Sequence, residues 1–187
     1  MIASILLVAA AACSGDCAAQ KDFEKMEEAI LSQPLQGKTV SHAEGSVKVD
    51  VEATLTVGSD TKISYKGNVM GRDVDKTWEN PTTPDLRDAI LLGITRMGLT
   101  HNLVLFTSDR PPANVEGHIR QALTPHDFAK ASGGGIAYKL RADNREMGEG
   151  VIKFNSKTHL PMSRKFTFHL DNGDMRVSES YQLTRLK

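Results

Sequence analysis

Residues 46–57 read SVKVDVEATLTV, and this stretch decides the fold class because apolar and polar residues alternate through it without a break. The apolar positions are Val47, Val49, Val51, Ala53, Leu55 and Val57. Successive side chains of a strand point to opposite faces, so the pattern predicts a strand with one apolar and one solvated face. Such strands are typical of antiparallel sheets that cover a core on one side.

Two hairpins extend this prediction. Residues 61–70 alternate in the same way after a short Gly-Ser-Asp turn, which predicts that they pair with the first strand. A second hairpin is centred on Asn172-Gly173, a strong turn signal between two alternating segments. Arg164 and Glu179 each interrupt the apolar face of one of those segments, so we expect the two charges to face each other across the pair.

Helical spacing appears in two places. Residues 21–33 place Phe23, Met26 and Ile30 on one face, which predicts a leading amphipathic helix. Thr83 is a good N-cap for a second helix that we expect over Pro84–Met97. The sequence therefore predicts an α+β fold. Its strongly twisted antiparallel sheet forms an open half-barrel, and helices cover the concave apolar face.

The N-terminus predicts export. Ile2–Ala12 is apolar apart from one serine and too short to span a bilayer, as in the central region of a signal peptide. Two processing routes stay open: a lipobox that leaves Cys13 as the lipidated first residue, or cleavage after Ala19. A buried N-terminal helix of a cytosolic protein is the remaining alternative. We take residues 1–19 as the export signal and residues 20–187 as one domain, periplasmic or membrane-anchored as a lipoprotein.

Composition narrows the classes of partner. The chain has 23 basic and 23 acidic residues, and its aromatic content is 5%. A nucleic-acid binder would show a basic stripe or a series of aromatic stacking platforms, so we expect no nucleic-acid partner. No later segment is apolar enough to cross a membrane, so we expect membrane contact only through a lipid anchor.

No group of residues has the spacing of a catalytic or metal site. His118, His126 and Asp127 flank a proline-containing loop and suggest a hydrolase alternative, but no tight histidine pair supports a metal there. No cysteine follows Cys17, which excludes a later disulfide or cysteine-based metal site. We expect no enzymatic activity, no metal and no cofactor.

The apolar faces suggest a binding cavity instead. We expect seven side chains to point inward together, namely those of Leu55, Ile63, Val69, Ile94, Phe166, Phe168 and Tyr181. Two interpretations stay open: a filled core, or a partly open cavity that accepts an acyl chain or another apolar ligand.

The segment Asn155–Arg164 reads NSKTHLPMSR and is similar to the D-x-x-T-G-L-P-x-x-R turn and strand of periplasmic proteins, with Asn155 for the acid and His159 for the glycine. With the export signal, the leading helix, the long strands and the helical insertion, the chain resembles the LolA/LolB-like superfamily of lipoprotein carriers. That resemblance implies non-enzymatic binding of lipid or lipoprotein acyl chains in a hydrophobic cavity.

The leading hypothesis is therefore an envelope protein that binds an apolar ligand in a helix-capped half-barrel. The alternative is a structural or interaction module of the periplasm with a filled core. That module would capture a partner protein through Arg110–Ser132, which we expect to be a loop with at most a short helix or strand.

Overall fold

A computed structural model describes residues 15–108 and 123–186 of the protein. Within these ranges the helices are α1 (Cys17–Leu31), α2 (Pro84–Leu91) and α3 (Leu99–Phe106). The strands are β1 (Leu35–Gly45), β2 (Val49–Val57), β3 (Asp60–Val69), β4 (Arg72–Pro81), β5 (Thr124–Lys130), β6 (Ile136–Ala142), β7 (Arg145–Phe154), β8 (Pro161–Leu170) and β9 (Gly173–Arg185).

The nine described strands form one sheet in the order β4-β3-β2-β1-β9-β8-β7-β6-β5. Each neighbouring pair is antiparallel, and β4 and β5 end the sheet without pairing to each other. The helices pack on one face of this open sheet, which confirms the predicted helix-capped half-barrel. β1 and β9 pair along eleven residues, so the last strand joins two groups of hairpins.

The alternation in β2 sets which face is buried. Val51, Ala53, Leu55 and Val57 are buried, whereas the polar residues between them are exposed or half-buried. The regular strand begins at Val49, three residues later than the alternation suggests, because residues 46–48 form the turn from β1. The prediction that the odd-numbered positions of this strand face the core is confirmed.

Helix α1 begins earlier than the predicted residue 21. The Asp16 carboxylate accepts hydrogen bonds from the backbone N–H groups of Ala18 (2.8 Å) and Ala19 (3.3 Å), and so caps the helix. The backbone N–H of Asp16 donates to the carbonyl of Phe128 in β5 at 2.7 Å. The ordered domain thus includes residues N-terminal to Ala19.

The second predicted helix, Pro84–Met97, is α-helical only as far as Leu91. Thr83 caps α2 as expected, since its Oγ1 accepts from the N–H of Leu86 at 3.2 Å. The α-helix ends at Leu91 and continues as a 3₁₀ turn before Gly98, whose φ of +120° breaks the helical path. A side chain at Gly98 would lie 3.3 Å from the Glu179 carboxylate, so the chain passes here because Gly98 has no Cβ.

One of the described strands, β4, was not predicted from the sequence. β4 is an edge strand in which half of the residues are charged and most are exposed, so it lacks the apolar alternation of a core strand. β5 lies within the segment Arg110–Ser132, and residues 109–122 of that segment lie outside the described residues. In the described part of this segment, β5 is the short strand that the sequence prediction allowed.

The segment that resembles the D-x-x-T-G-L-P-x-x-R pattern forms the turn between β7 and β8. Asn155 replaces the acid and accepts hydrogen bonds through its Oδ1 from the N–H groups of Lys157 (2.9 Å) and Thr158 (3.1 Å). His159 replaces the glycine and has a φ of +55°, a left-handed conformation that favours glycine. The turn then places Arg164 of β8 on the buried face.

Candidate functional site

An apolar groove lies between α3 and the ends of five strands, and it has a volume of about 380 Å³. Volumes in this range are typical of small-molecule sites. Its lining is chiefly aliphatic side chains and methionines: Ala43, Val47, Val49, Val69, Met70, Met97, Val104, Leu105, Leu170, Met175 and Val177. Four polar residues also line it: Ser41, Thr100, His101 and Glu179.

The mouth of the groove lies at the end of the sheet where three turns meet. These turns join β1 to β2, β3 to β4 and β8 to β9. Met70 of the β3–β4 turn is 68% exposed, although it is a large apolar residue. Its φ of +53° places it in the left-handed region beside Gly71. An exposed methionine at the rim of an apolar groove offers an adaptable surface to a ligand.

Strand pairing arranges the groove floor in rows. Ala43 of β1 pairs with both Val49 of β2 and Val177 of β9, which forms the middle row. Ser41 pairs with Glu179 two residues further into the sheet. Because β1 and β9 are paired without a shift, side chains of the same parity follow one another down the groove.

The inner end of the groove is closed by a polar network around Glu179. The carboxylate accepts hydrogen bonds from Ser41 Oγ at 3.0 Å, from Tyr181 Oη at 2.6 Å and from the Thr100 N–H at 3.4 Å. The Ser41 and Thr100 hydroxyls are 2.5 Å apart. This network fixes the first turn of α3 on the sheet.

Arg164 completes the network from the side of β8. Its Nη1 lies 3.5 Å from Glu179 Oε2, and Nε donates to Tyr138 Oη at 2.9 Å. Nη2 donates to the carbonyl of Arg96, between the 3₁₀ turn and α3. The guanidinium also lies 4.4 Å from the ring centroid of Phe166. The side chains of Arg164 and Glu179 are 0% and 1% exposed, and each charge is balanced by the other.

Arg164 and Glu179 are direct partners across β8 and β9, which confirms the prediction made from the two interruptions in the apolar faces. The turn residues of that hairpin are Asp171 and Asn172, and Gly173 begins β9 with a φ of +113°.

The buried tyrosines stay protonated in this network. Burial raises the pKa of Tyr181 well above its usual value, and the adjacent negative charge of Glu179 raises it further. Burial also raises the pKa of Tyr138, although Arg164 partly opposes this effect. Both phenols are therefore neutral hydrogen-bonding groups, and Tyr181 remains a donor to Glu179.

The C-terminal end of α3 is also fixed to the sheet by hydrogen bonds. Thr107, directly after the helix, has its hydroxyl 3.1 Å from Tyr65 Oη of β3, and its carbonyl accepts from Lys76 Nζ of β4. Asn102 within the helix donates to the carbonyl of Ala89 in α2 at 2.8 Å. Together with the Glu179 network, these contacts hold α3 over the sheet while Val104 and Leu105 face the groove.

Of the seven predicted cavity residues, Val69 lines the groove. Phe166 and Phe168 pair with Val177 and Met175 beside it, but their rings are packed 4.6 Å apart. The other four are buried in the packed core: Leu55, Ile63, Ile94 and Tyr181.

Sequence reasoning missed most of the lining residues. The signal available in the sequence was Met70, an apolar residue placed at a turn. The groove also depends on the pairing of β1 with β9, which are far apart in the sequence.

A larger depression of about 700 Å³ lies on the outer face of the sheet. Charged side chains of both signs line it, including Lys139, Glu149, Lys165 and Arg176. Such mixed charge is typical of a solvated sheet face, whereas the groove under α3 combines apolar walls with a few convergent polar groups. The groove is therefore the stronger candidate.

The histidine alternative finds little support in the described part of the chain. His126 Nδ1 lies 3.4 Å from Asp127 Oδ2, and His126 Nε2 lies 3.5 Å from Glu146 Oε2. His118 lies outside the described residues, as does Cys13. Within residues 15–108 and 123–186, no group of three or more His, Cys, Asp or Glu residues has the geometry of a metal site. No helix in these ranges is long and apolar enough to span a bilayer.

No protein-family model matches the chain, and no curated protein matches it. Among solved structures, the chain is similar to MucB in the MucA/MucB complex of Pseudomonas aeruginosa, at 14% identity and a TM-score of 0.38. That similarity covers 90% of this chain and 57% of MucB, and the chain spans 56% to 60% of the MucB structures it matches.

Two further structures match this chain over most of their own length. The S-type phycobiliprotein lyase CPES from Guillardia theta is 10% identical with a TM-score of 0.36, over 90% of this chain and 97% of that one. A LolA superfamily protein from Nitrosomonas europaea is 8% identical with a TM-score of 0.26, over 90% and 94%.

Proposed function

We propose that the protein binds an apolar ligand, a lipid or a lipoprotein acyl chain, in the groove under α3 and catalyses no reaction. One observation carries this proposal: a groove of about 380 Å³ with largely aliphatic and methionine walls opens beside the exposed Met70. Transfer of apolar surface from water into such a groove is favourable by about 25 cal/mol per Å².

The polar groups of the groove support a binding role. Ser41, Thr100 and Glu179 hydrogen-bond to one another, and Arg164 balances the charge of Glu179. A nucleophile would need a base that is free to take its proton and a site for the developing oxyanion, whereas the Glu179 carboxylate beside Ser41 is already paired with Arg164 and Tyr181. Here the hydroxyls are instead part of a structural network that holds α3.

The proposed setting is the bacterial envelope. The apolar run Ile2–Ala12 predicts export, and a carrier of acyl chains in water must shield them as this groove does. The lipid anchor at Cys13 remains a prediction from the sequence. The combination gives an exported protein whose apolar ligand is carried beneath α3.

The test is binding of an environment-sensitive apolar dye by the full chain, with mass spectrometry of lipids that copurify with it. The matched pair of variants is Val49→Asp in the groove and Val40→Asp on the outer face of the neighbouring strand. We expect Val49→Asp to weaken dye binding by at least about tenfold, because an apolar ligand leaves the new carboxylate without solvent.

We expect Val40→Asp to bind the dye like the natural protein, because Val40 is already 49% exposed on the solvated face. Absence of both dye binding and copurified lipid would contradict the proposal. Equal weakening by the two variants would place the dye elsewhere and would contradict it as well.

A further inference from the structure

The groove has a defined depth, which follows from the strand pairing on its floor. Along β9 the lining side chains run from Met175 through Val177 to Glu179, with Ala43 and Ser41 as the partners of the last two. The four residue-to-residue steps from Met175 to Glu179 span roughly 13 Å. The outer end opens at the turns, and the inner end is the polar network.

The inner end is a rigid wall because its members are held by several elements at once. Glu179 is bound by groups from β1, α3, β8 and β9, and its side chain is 1% exposed. Behind the wall, Tyr181 and Leu55 belong to the packed core. A hydrocarbon chain that passed this point would have to break the buried ion pair and displace closely packed side chains.

We propose that the wall of Ser41, Thr100 and Glu179 limits the groove to hydrocarbon chains of about ten carbons, since an extended chain advances roughly 1.25 Å per carbon at ordinary bond lengths and angles. This inference rests on the proposed binding of an apolar ligand in the groove. A ligand with a longer chain leaves its remaining carbons and its head group outside the mouth. The preferred ligand is a single-chain amphiphile whose polar end stays in water.

Displacement of the bound dye by straight-chain fatty acids of increasing length tests the limit on the full chain. Each fatty acid is used below the concentration at which it forms micelles. We expect the affinity to rise about fourfold with each added methylene, as burial of apolar surface requires. The rise then stops at about ten carbons, where the chain end meets the wall.

Ala43→Leu fills the middle row of the groove and should move the plateau to a shorter chain. Val104→Phe fills the same space from α3 and serves as a second variant if Ala43→Leu does not fold. Val40→Leu changes the same strand on its opposite face, so the plateau should stay in place.

The outcomes separate this inference from the proposal on which it rests. If the dye binds but affinity continues to rise with chain length past about fourteen carbons, the wall does not limit the ligand and the inference is wrong. A plateau that neither filling variant moves would also overturn it. If neither dye nor any fatty acid binds, the binding function itself fails.

Discussion

The inner face of the sheet has two halves that are filled in different ways. Under α1, aromatic rings close the space: Phe23 lies 4.9 Å from both Phe128 and Tyr138, and Tyr138 lies 5.4 Å from Phe166. Under α3, aliphatic side chains and methionines leave a groove of about 380 Å³. The same alternation builds both halves, so the volume of the inward side chains determines whether the space is core or groove.

The boundary between the halves is the pair of Arg164 and Glu179. Arg164 is directed toward the rings and Tyr138, while Glu179 lines the groove. On the α1 side the network continues, since Arg96 Nη1 donates to Glu27 of α1. A buried charge pair at this position fixes both α1 and α3 relative to the sheet.

Loss of that boundary should have the largest effect on stability. Arg164→Ala leaves Glu179 buried without its counter-charge, and we expect the free energy of unfolding to fall by about 4 kcal/mol. Chemical denaturation measures the change. The double variant Arg164→Met with Glu179→Leu leaves no lone buried charge and should recover part of the loss, although Tyr138, Tyr181 and the Thr100 N–H then lose their buried partners.

Equal destabilisation of the single and double variants would show that packing, and not the paired charges, maintains the boundary between the two halves. The electrostatic role of Arg164 and Glu179 would then be contradicted.

A matched pair of leucines tests the difference in filling. Leu140 of β6 is fully buried on the ring-packed side, so Leu140→Ala should leave a cavity and cost about 3 kcal/mol. Leu170 is half-buried at the groove, so Leu170→Ala removes fewer contacts and should cost about 1 kcal/mol. Denaturation curves of the two variants measure both values. Equal losses would show that the groove half is packed as tightly as the core.

The smallest expected effect on stability concerns the N-terminal capping of α1 and α3. Asp16 caps α1 with its side chain, whereas the N-cap residue of α3 is Gly98, which has no side chain to cap the helix, and α3 is held by the Glu179 network. Asp16→Ala should destabilise the protein by about 1 kcal/mol, and Asp16→Asn should be nearly neutral because asparagine caps equally well. The midpoint of thermal unfolding reports the change. An unaffected midpoint for Asp16→Ala would mean that the start of α1 adds nothing to the domain.

Much of the architecture could be predicted from residue parity. The alternation of β2, the capping residue Thr83 and the facing charges at Arg164 and Glu179 all rest on local rules of strand and helix geometry. β4 escaped prediction because its solvated edge position removes the apolar signal. The early start of α1 could not be predicted because it depends on tertiary contacts: the Asp16 N–H donates to β5, and Ala19 is buried in the core.

The site could not be predicted to the same extent. Alternation states that a side chain points inward, but not whether another side chain reaches it from the facing helix. Ser41 and Glu179, which share the end wall, are 138 residues apart in the sequence. The groove therefore emerges from the register of β1 with β9 and from the turn at Gly98, and neither is visible in a local pattern.

The open sheet has one more consequence, for how copies of the protein behave near one another. Each outermost strand carries a row of backbone groups on which a foreign strand can assemble. At β5 the chain's own residues Gly15 and Asp16 take up part of that row through Phe128. At β4, charged residues such as Arg72, Asp75 and Glu79 make strand addition electrostatically and sterically unfavourable. The two edges of the sheet are thus protected by different means, which disfavours strand addition between copies of the protein.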